Sequence, residues 1–219
     1  MGRIVIIIGI LPVILGIVIR KFFGERILRP YRDLSTSLTC RAFVDRLAAG
    51  AQWGIVVEEG NRTKLEEERL VLSRSLVEER DVISLSQVGL LFGLSLLGRR
   101  QPELLRWRAW ALKFSWAFPS FTLLVVIFAV LVGHGKLAVP AAFFGLGVGS
   151  AVGFIAAWVE WQAAGLTSKL LMERAIIARE DDRIAITKSM RALASRRCVP
   201  GMLQFLFPEG SSKKTARKS

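Results

Sequence analysis

The chain has almost no histidine. His134 is the only one among 219 residues, and a metal helix that needs two imidazoles cannot be built from it. It lies in a short Gly133-His134-Gly135-Lys136 turn between two apolar runs. A solvated loop histidine is the plain reading there, and a ligand shared with a second subunit is the alternative. Cysteine is scarce too. Cys40 and Cys198 stand far apart in sequence, which excludes a disulfide framework or a CxxC metal knuckle and leaves two free thiols on a reducing side. The common signatures of phosphate and nucleophile sites are also missing: there is no GxSxG, no P-loop and no GxGxxG after a strand. Gly145, Gly147 and Gly149 alternate inside an apolar helix and do not form a phosphate loop. A histidine-based triad would have to use His134, on the opposite side from Cys40, Cys198 and most serines. An active hydrolase would therefore need a site of unrecognised type.

What the chain does have is apolar length and positive charge. It is 52% hydrophobic, its mean hydropathy is +0.43, and its net charge is +13 with a pI near 10.8. Such a balance suits nucleic acid, an acidic partner or an anionic membrane face. In a membrane protein, basic residues first of all mark the cytoplasmic side. Ile4 to Ile19 is a nearly unbroken apolar run closed by Arg20 and Lys21, close to the ~20 residues that cross a bilayer. No small-residue cleavage site follows it, so an uncleaved span is expected rather than a signal peptide. Pro12 can kink that span without breaking it. Phe114 to Gly133 and Ala138 to Trp158 read as a transmembrane hairpin around His134. Trp107, Trp110 and Trp116 lie where an interfacial belt belongs. On the second hairpin helix Ala141, Gly145, Gly149, Gly153 and Ala157 recur every four residues. They make a smooth face for close helix approach, within the chain or in a homo-oligomer. Gly147 would point away from that face by about 200°.

Between the spans the pattern changes. Ser37 can cap a helix from Leu38 to Ala49, with Gly50 as its stop. Ile55 to Val57 and Leu70 to Leu72 read as two strands, a hairpin or an adjacent pair. Val82 to Gly98 is an uncharged run bracketed by Arg80-Asp81 and Arg99-Arg100. Residues 163 to 197 read as an amphipathic helix whose face carries Leu171, Ala175, Ala178, Ile186, Met190 and Leu193. The fold class expected is mainly α, with three transmembrane helices, a buried or membrane-embedded helix and a small cytoplasmic α+β segment. The divisions are a first span over 1–21, the α+β segment over 22–81 and the apolar helix over 82–98. A basic linker and hairpin over 99–161, an amphipathic region over 162–208 and a basic tail over 209–219 follow.

Charge sets the expected topology. Twelve Lys and Arg fall between residues 20 and 81 and five more between 99 and 113, whereas Lys136 stands nearly alone in the hairpin turn. The N-terminus and that turn are then outside and the tail inside. Three spans satisfy this. A fourth at 82–98 would put one basic segment on the wrong side, so a buried or half-buried helix is expected there.

The order of these elements resembles a family. Ser37-Leu38-Thr39 with Ala42 and Leu47, the strand Leu70-Val71-Leu72-Ser73, the helix Val82 to Leu97, and Ala157-Trp158-Val159-Glu160-Trp161-Gln162-Ala163-Ala164 after the hairpin follow one another as in the small bacterial membrane proteins known as neutral zinc metallopeptidases. The resemblance covers roughly residues 4 to 195. It implies a helix bearing His-Glu-x-x-His and a downstream glutamate as third metal ligand. In this chain Leu90-Leu91-Phe92-Gly93-Leu94 occupies the motif positions. Leu90 and Leu94 stand for the two histidines and Leu91 for the catalytic glutamate, and leucine can neither hold zinc nor take a proton from metal-bound water. The family's Asp-His-Tyr-Asp-Pro-like stretch before the second strand is missing as well. Glu160 persists at the third-ligand position. It is expected to pair with Arg106, Arg108 or Lys113 at the membrane edge and to lie near Leu90 and Leu94.

The reading that follows is a catalytically inactive relative of a membrane zinc metallopeptidase. It uses no cofactor or metal, and it serves as a scaffold or subunit for other membrane proteins or a larger membrane complex. The alternative is a membrane-tethered basic module for anionic lipid or RNA, using Arg106, Arg108, Lys113 and the tail residues Lys213, Lys214, Arg217 and Lys218. Anionic lipids at the cytoplasmic face suit that charge better than nucleic acid does, and the glycine face leaves a homo-oligomer open.

Overall fold

A computed structural model describes residues 2–65, 69–199 and 203. The fold is mainly helical with one small sheet. Helix α1 (Gly2–Ile19) continues through a π-helical turn, Arg20–Glu25, into the short α2 (Arg26–Leu28) and a 3₁₀ turn at Arg29–Tyr31. Pro12 sits inside α1 without ending it. Then come α3 (Cys40–Ala51), strands β1 (Val56–Gly60), β2 (Lys64–Leu65) and β3 (Arg69–Ser73), and the one-turn α4 (Arg74–Val77). Four long helices complete the order: α5 (Val82–Arg100), α6 (Pro102–Leu131), α7 (Gly135–Glu173) and α8 (Glu180–Ser195).

Four helical stretches are long and apolar enough to cross a membrane: Ile4–Tyr31, α5, α6 and α7. They differ in what surrounds them. The most apolar stretch of α5 is 67% buried within the protein, against 17% for the first helix and 11% for α6. Ile4, Leu11, Phe121, Leu124 and Leu131 stand fully out from α1 and α6, as side chains facing lipid would. Helix α5 instead carries apolar residues on every side, the pattern of an enclosed helix.

Helices α6 and α7 form the expected antiparallel hairpin, turning at Val132–His134. The glycines of α7 explain how closely it is clasped. A Cβ on Gly145 would come within 2.6 Å of the Thr122 side chain, and one on Gly149 would strike Pro119. The contact is thus intramolecular. Gly147 corrects the one-face expectation. It meets the backbone of Gly9 on α1, where an added Cβ would sit 2.5 Å from the carbonyl oxygen. Helix α7 is gripped from two sides, so alternate glycines serve different neighbours. Of the remaining face residues, Gly153 lies against the Arg197 carbonyl, Ala157 is fully buried and Ala141 is half-buried.

The polar end of the molecule is built on α5. Asp81 caps it, accepting from the Ser84 amide at 2.8 Å. The chain after α1 returns to pair with its start, the Val82 amide donating to the Leu34 carbonyl at 3.0 Å. Helix α3 begins two residues later than expected because Thr39, not Ser37, provides the cap, accepting from the Ala42 amide. Its stop is Gln52 in the left-handed region, not Gly50. The two expected strands are neighbours but run parallel, with Val56 opposite Arg69. The hairpin is made by β2, antiparallel to β3 on its other edge. Phe43, Leu47, Leu72, Leu85, Phe92, Ile186 and Met190 are fully buried in the core these elements share.

Two boundaries moved. Helix α7 passes unbroken through residues 161 and 162 and ends only at Glu173, since nothing there interrupts helical backbone. The chain then breaks at Ala175, which has φ +47°, so 163–197 is not one helix. Ala175 and Ala178 are exposed in the break, while Ile176 and Ile177 take the buried places expected of them. Leu171, Ile186, Met190 and Leu193 are buried as expected. The other boundary is at 99–113, where the basic linker is helical from Pro102 onward.

Candidate functional site

Glu160 is the most buried carboxylate of the described residues, 1% exposed on α7. Its Oε1 accepts from Arg108 Nη2 at 2.6 Å and Nε at 3.0 Å. Two donors on one oxygen from a planar guanidinium make a strong, charge-assisted contact. Arg197 Nε lies 3.4 Å from the same oxygen. Of the three basic partners expected, the structure selects Arg108. Arg106 instead pairs with Glu103 at 3.0 Å on the outer face of α6, and Lys113 is exposed.

The second arginine arrives from the other end of the chain. Trp161 Nε1 donates to Ser195 Oγ at 3.2 Å, tying the end of α8 to α7. The following 3₁₀ turn, Arg196–Cys198, then wedges between α1 and α7: the Cys198 carbonyl abuts Gly16, and the Arg197 carbonyl lies 3.2 Å from where a Cβ on Gly153 would be. Glycine at both points lets the turn approach closely, and the approach brings Arg197 to Glu160.

These groups line a cavity of about 280 Å³. Leu90, Leu91 and Leu94 of α5 form one wall. Arg20, Arg108, Arg196 and Arg197 also line it, Arg20 with its Nε 3.7 Å from a Glu25 carboxylate oxygen. The expected proximity of Glu160 to Leu90 and Leu94 is therefore met. The α5–α7 contact that creates it depends on two glycines that sequence reasoning passed over. Thr167 Oγ1 donates to the Gly89 carbonyl at 2.9 Å, and a Cβ on Gly93 would meet Thr167 Oγ1 at 2.5 Å.

A zinc ion does not fit this donor set. The wall where two imidazoles would stand is hydrocarbon, and the one carboxylate is held by two guanidiniums. A dication would meet positive charge at short range. No cluster of three or more His, Cys, Asp or Glu suited to a metal exists among the described residues.

The other residues singled out lie elsewhere. His134 is exposed in the hairpin turn, its Nδ1 3.4 Å from the Val132 carbonyl oxygen. Cys40 and Cys198 are free and buried. Burial, and then the charges of Asp81 and Glu79, push the Cys40 thiol up to about 12. Lys213, Lys214, Arg217 and Lys218 lie outside the described residues. A second cavity, about 990 Å³, opens on the far side of Arg108 and is lined by Trp53, Arg69, Arg99 and Arg106.

No protein-family model matches the chain, and neither a curated protein nor a solved structure matches it.

Proposed function

We propose that this protein is a catalytically inert relative of membrane zinc metallopeptidases that acts as a membrane scaffold or subunit binding other membrane proteins. One observation carries the reading. Glu160, which the resemblance makes a third metal ligand, shares a cavity with Leu90, Leu91 and Leu94, which it makes the lost ligands and base. Residues 66 to 70 positions apart in the chain would not meet in this way without a reason in the fold. The carboxylate left behind is neutralised by Arg108 and Arg197, and leucine lines the wall facing it. Both are stable answers to the loss of a metal.

Three spans in the bacterial cytoplasmic membrane go with this reading, α1, α6 and α7, with the hairpin turn outside. Helix α5 contacts α7 at Ala163 and Thr167, about 44–50 Å along the helix from His134 at 1.5 Å per residue. That is at or past the ~40–45 Å depth of a bilayer with its headgroups, which supports a place for α5 beneath the membrane. Accessibility of single cysteines tests the topology: a thiol reagent added outside should label Gly135→Cys and spare Ser212→Cys, and the reverse would overturn it.

The scaffold reading is tested by two measurements on protein purified in mild detergent. Elemental analysis after exposure to zinc should find well under one ion per chain. Proteins that co-purify should stay bound as salt is raised, because packed helix contacts resist salt whereas electrostatic attraction to lipid or RNA does not. Stoichiometric zinc would reject inertness. Complete release by salt would favour the basic-module alternative, which the arginine-lined cavity also supports.

A further inference from the structure

We propose that the inner half of the crevice between α1 and α7 is a docking site for the chain's own segment 200–207, which enters the bilayer there and returns as a re-entrant loop. The inference rests on the three-span topology and not on the kinship with zinc peptidases.

Direction is the first ground. The Ala192 carbonyl oxygen of α8 lies 3.5 Å from where a Cβ on Gly24 would be, and the Cys198 carbonyl abuts Gly16. Eight residues of helix separate the two glycines, so the chain climbs about 12 Å toward the middle of the membrane as it leaves α8. It climbs in contact with α7, the Arg197 carbonyl meeting Gly153. Glycine on both helices lets the backbone come close. Gly153 stands 19 residues after His134, about 29 Å along the helix, which is the inner margin of a ~30 Å hydrocarbon core that begins at the turn. Val199 is 1% exposed there. The chain is thus enclosed, and directed into the bilayer, at the last residue before the segment.

Composition is the second ground. No charged residue falls between Arg197 and Glu209, and Met202 to Phe207 is apolar apart from Gln204. Eleven uncharged residues are too few to cross as a helix, and that length suits a re-entrant segment. Irregular backbone at such depth is tolerated only against protein. Leu203, the one described residue of the segment, is half-buried. Pro200 brings no N–H that needs a partner.

A hydroxyl is the third ground. Ser115, Ser120 and Thr122 of α6 and Thr167 and Ser168 of α7 each donate to a carbonyl of their own helix. Ser150 is fully buried, and its Oγ has no hydrogen-bond partner among the described residues. Leaving a buried hydroxyl unpaired is costly. Ser150 comes three residues after Gly147, which meets α1, and three before Gly153, which meets the turn. Three residues rotate a helix by about 300°, so Ser150 stands about 60° from each, between the two contacts. It is about 4.5 Å nearer the outer face than Gly153, within reach of the first residues after Val199. A backbone group of that segment is the partner it lacks.

Connectivity names the occupant. A lipid chain or a second copy would have to share the crevice with the chain's own continuation from Val199. The loop also returns the chain to the inner face at Pro208, so the basic tail starts among the headgroups.

The test uses the full chain in nanodiscs, with Cys40→Ala and Cys198→Ala to remove the native thiols. Ser150→Cys is combined in turn with Leu203→Cys, Gln204→Cys, Phe205→Cys and Leu206→Cys, and each pair is oxidised. At least one pair should form a disulfide within a single chain, read as a linked peptide by mass spectrometry and as a monomer on a non-reducing gel. Ile155→Cys, about 140° around α7 from Ser150, should link to none of the four. Absence of any link from Ser150→Cys would overturn the proposal, and alkylation of that thiol by N-ethylmaleimide as fast as Ile155→Cys would then assign the crevice to lipid. A link between chains would assign it to a second copy and overturn the proposal as well, as would equal linking from Ile155→Cys. Depth is read separately. In the same nanodiscs, open on both faces, a water-soluble thiol reagent should label Ser212→Cys and spare Leu206→Cys; equal labelling of the two would place the segment in water and reject the loop. Gly135→Cys and Ser212→Cys in sealed vesicles report the topology alone, so a reversed topology is told apart from a crevice filled by something else.

Discussion

Arg108 and Glu160 are equidistant from His134, 26 residues to either side, and their side chains meet at 2.6 Å. In an antiparallel helical hairpin, residues equally far from the turn reach the same height, because both helices rise about 1.5 Å per residue. The same rule pairs Pro119 with Gly149, 15 residues to either side, and brings Thr122 and Gly145 together to within one residue. It also explains why neither Arg106 nor Lys113 reaches Glu160. Lys113 is five residues closer to the turn, and Arg106 lies on the outer side of α6, engaged with Glu103.

This contact should be worth more than a surface ion pair. Glu160 is almost wholly enclosed and Arg108 is 21% exposed. Breaking a buried pair leaves an uncompensated charge, at a cost of roughly 3–5 kcal/mol, and residual access to solvent places this one near the lower figure. At about 2–4 °C per kcal/mol, Glu160→Gln should lower the melting temperature in detergent by roughly 6–12 °C. The double variant with Arg108→Gln should fall little further, since neither partner is then left charged and alone. Two additive losses in a thermal cycle would show that the groups do not stabilise one another.

The glycines of α7 give a second prediction with opposite signs. Gly147→Leu and Gly149→Leu should both impair folding, by about 1–3 kcal/mol or more each, through contacts with α1 and α6 respectively. Gly165 has open space where its side chain would be and lies inside α7, two turns before its end. Gly165→Ala should therefore stabilise by roughly 0.5–1 kcal/mol through helix propensity alone. Melting curves of the three variants decide it; a tolerated Gly147→Leu would mean that α1 is not clasped against α7.

Cys40 provides a pH test. Its thiol is raised from 9.0 to about 12 by burial and by Asp81 and Glu79, so the native fold favours the protonated form. The stability this contributes is complete below pH 9, the ordinary thiol value, and is lost as pH climbs from there toward 12. Iodoacetamide should thus label Cys40 far more slowly in the folded protein than in urea, with the gap persisting at pH 9. Equal labelling rates at that pH would show the thiol to be accessible and unshifted.

How much of this was legible beforehand depended on range. The hairpin, the enclosed nature of Val82 to Gly98 and the meeting of Glu160 with a basic residue follow from local apolar runs and charge positions. The choice of Arg108 was also available, from the count around His134. The α5–α7 contact needed Gly89 and Gly93, whose spacing is the same small-residue signal seen on α7 but is hidden in a run of leucines and serines. Arg20, Arg196 and Arg197 carried no signal that joined them. Their convergence depends on a turn wedged against Gly16 and Gly153, a long-range fit that periodicity does not encode. The break at Ala175 was invisible because its left-handed backbone is set by packing of Ile176 and Ile177, not by a glycine or proline.

The kinship with zinc peptidases can be tested by reversing it. If Leu90 and Leu94 occupy ligand positions, histidines there would face Glu160 from one side of α5, four residues and about one turn apart. Arginine stands in the way: as long as Arg108 and Arg197 hold the carboxylate, a dication is repelled. The informative protein is therefore the combination Leu90→His, Leu94→His, Arg108→Ala and Arg197→Ala. With its arginines gone, Glu160 would be a buried, unpaired carboxylate, which a zinc ion could neutralise while completing a set of two nitrogens and one oxygen. This variant should bind about one zinc per chain by elemental analysis. Zinc at about 100 times its dissociation constant should also raise its stability by roughly 2.7 kcal/mol. Adding Glu160→Gln should abolish both effects, and Leu90→His with Leu94→His alone should show neither. A folded four-site variant that takes up no zinc would mean that the leucines and Glu160 share a cavity without sharing the geometry of a former metal site, and the family reading would lose its support.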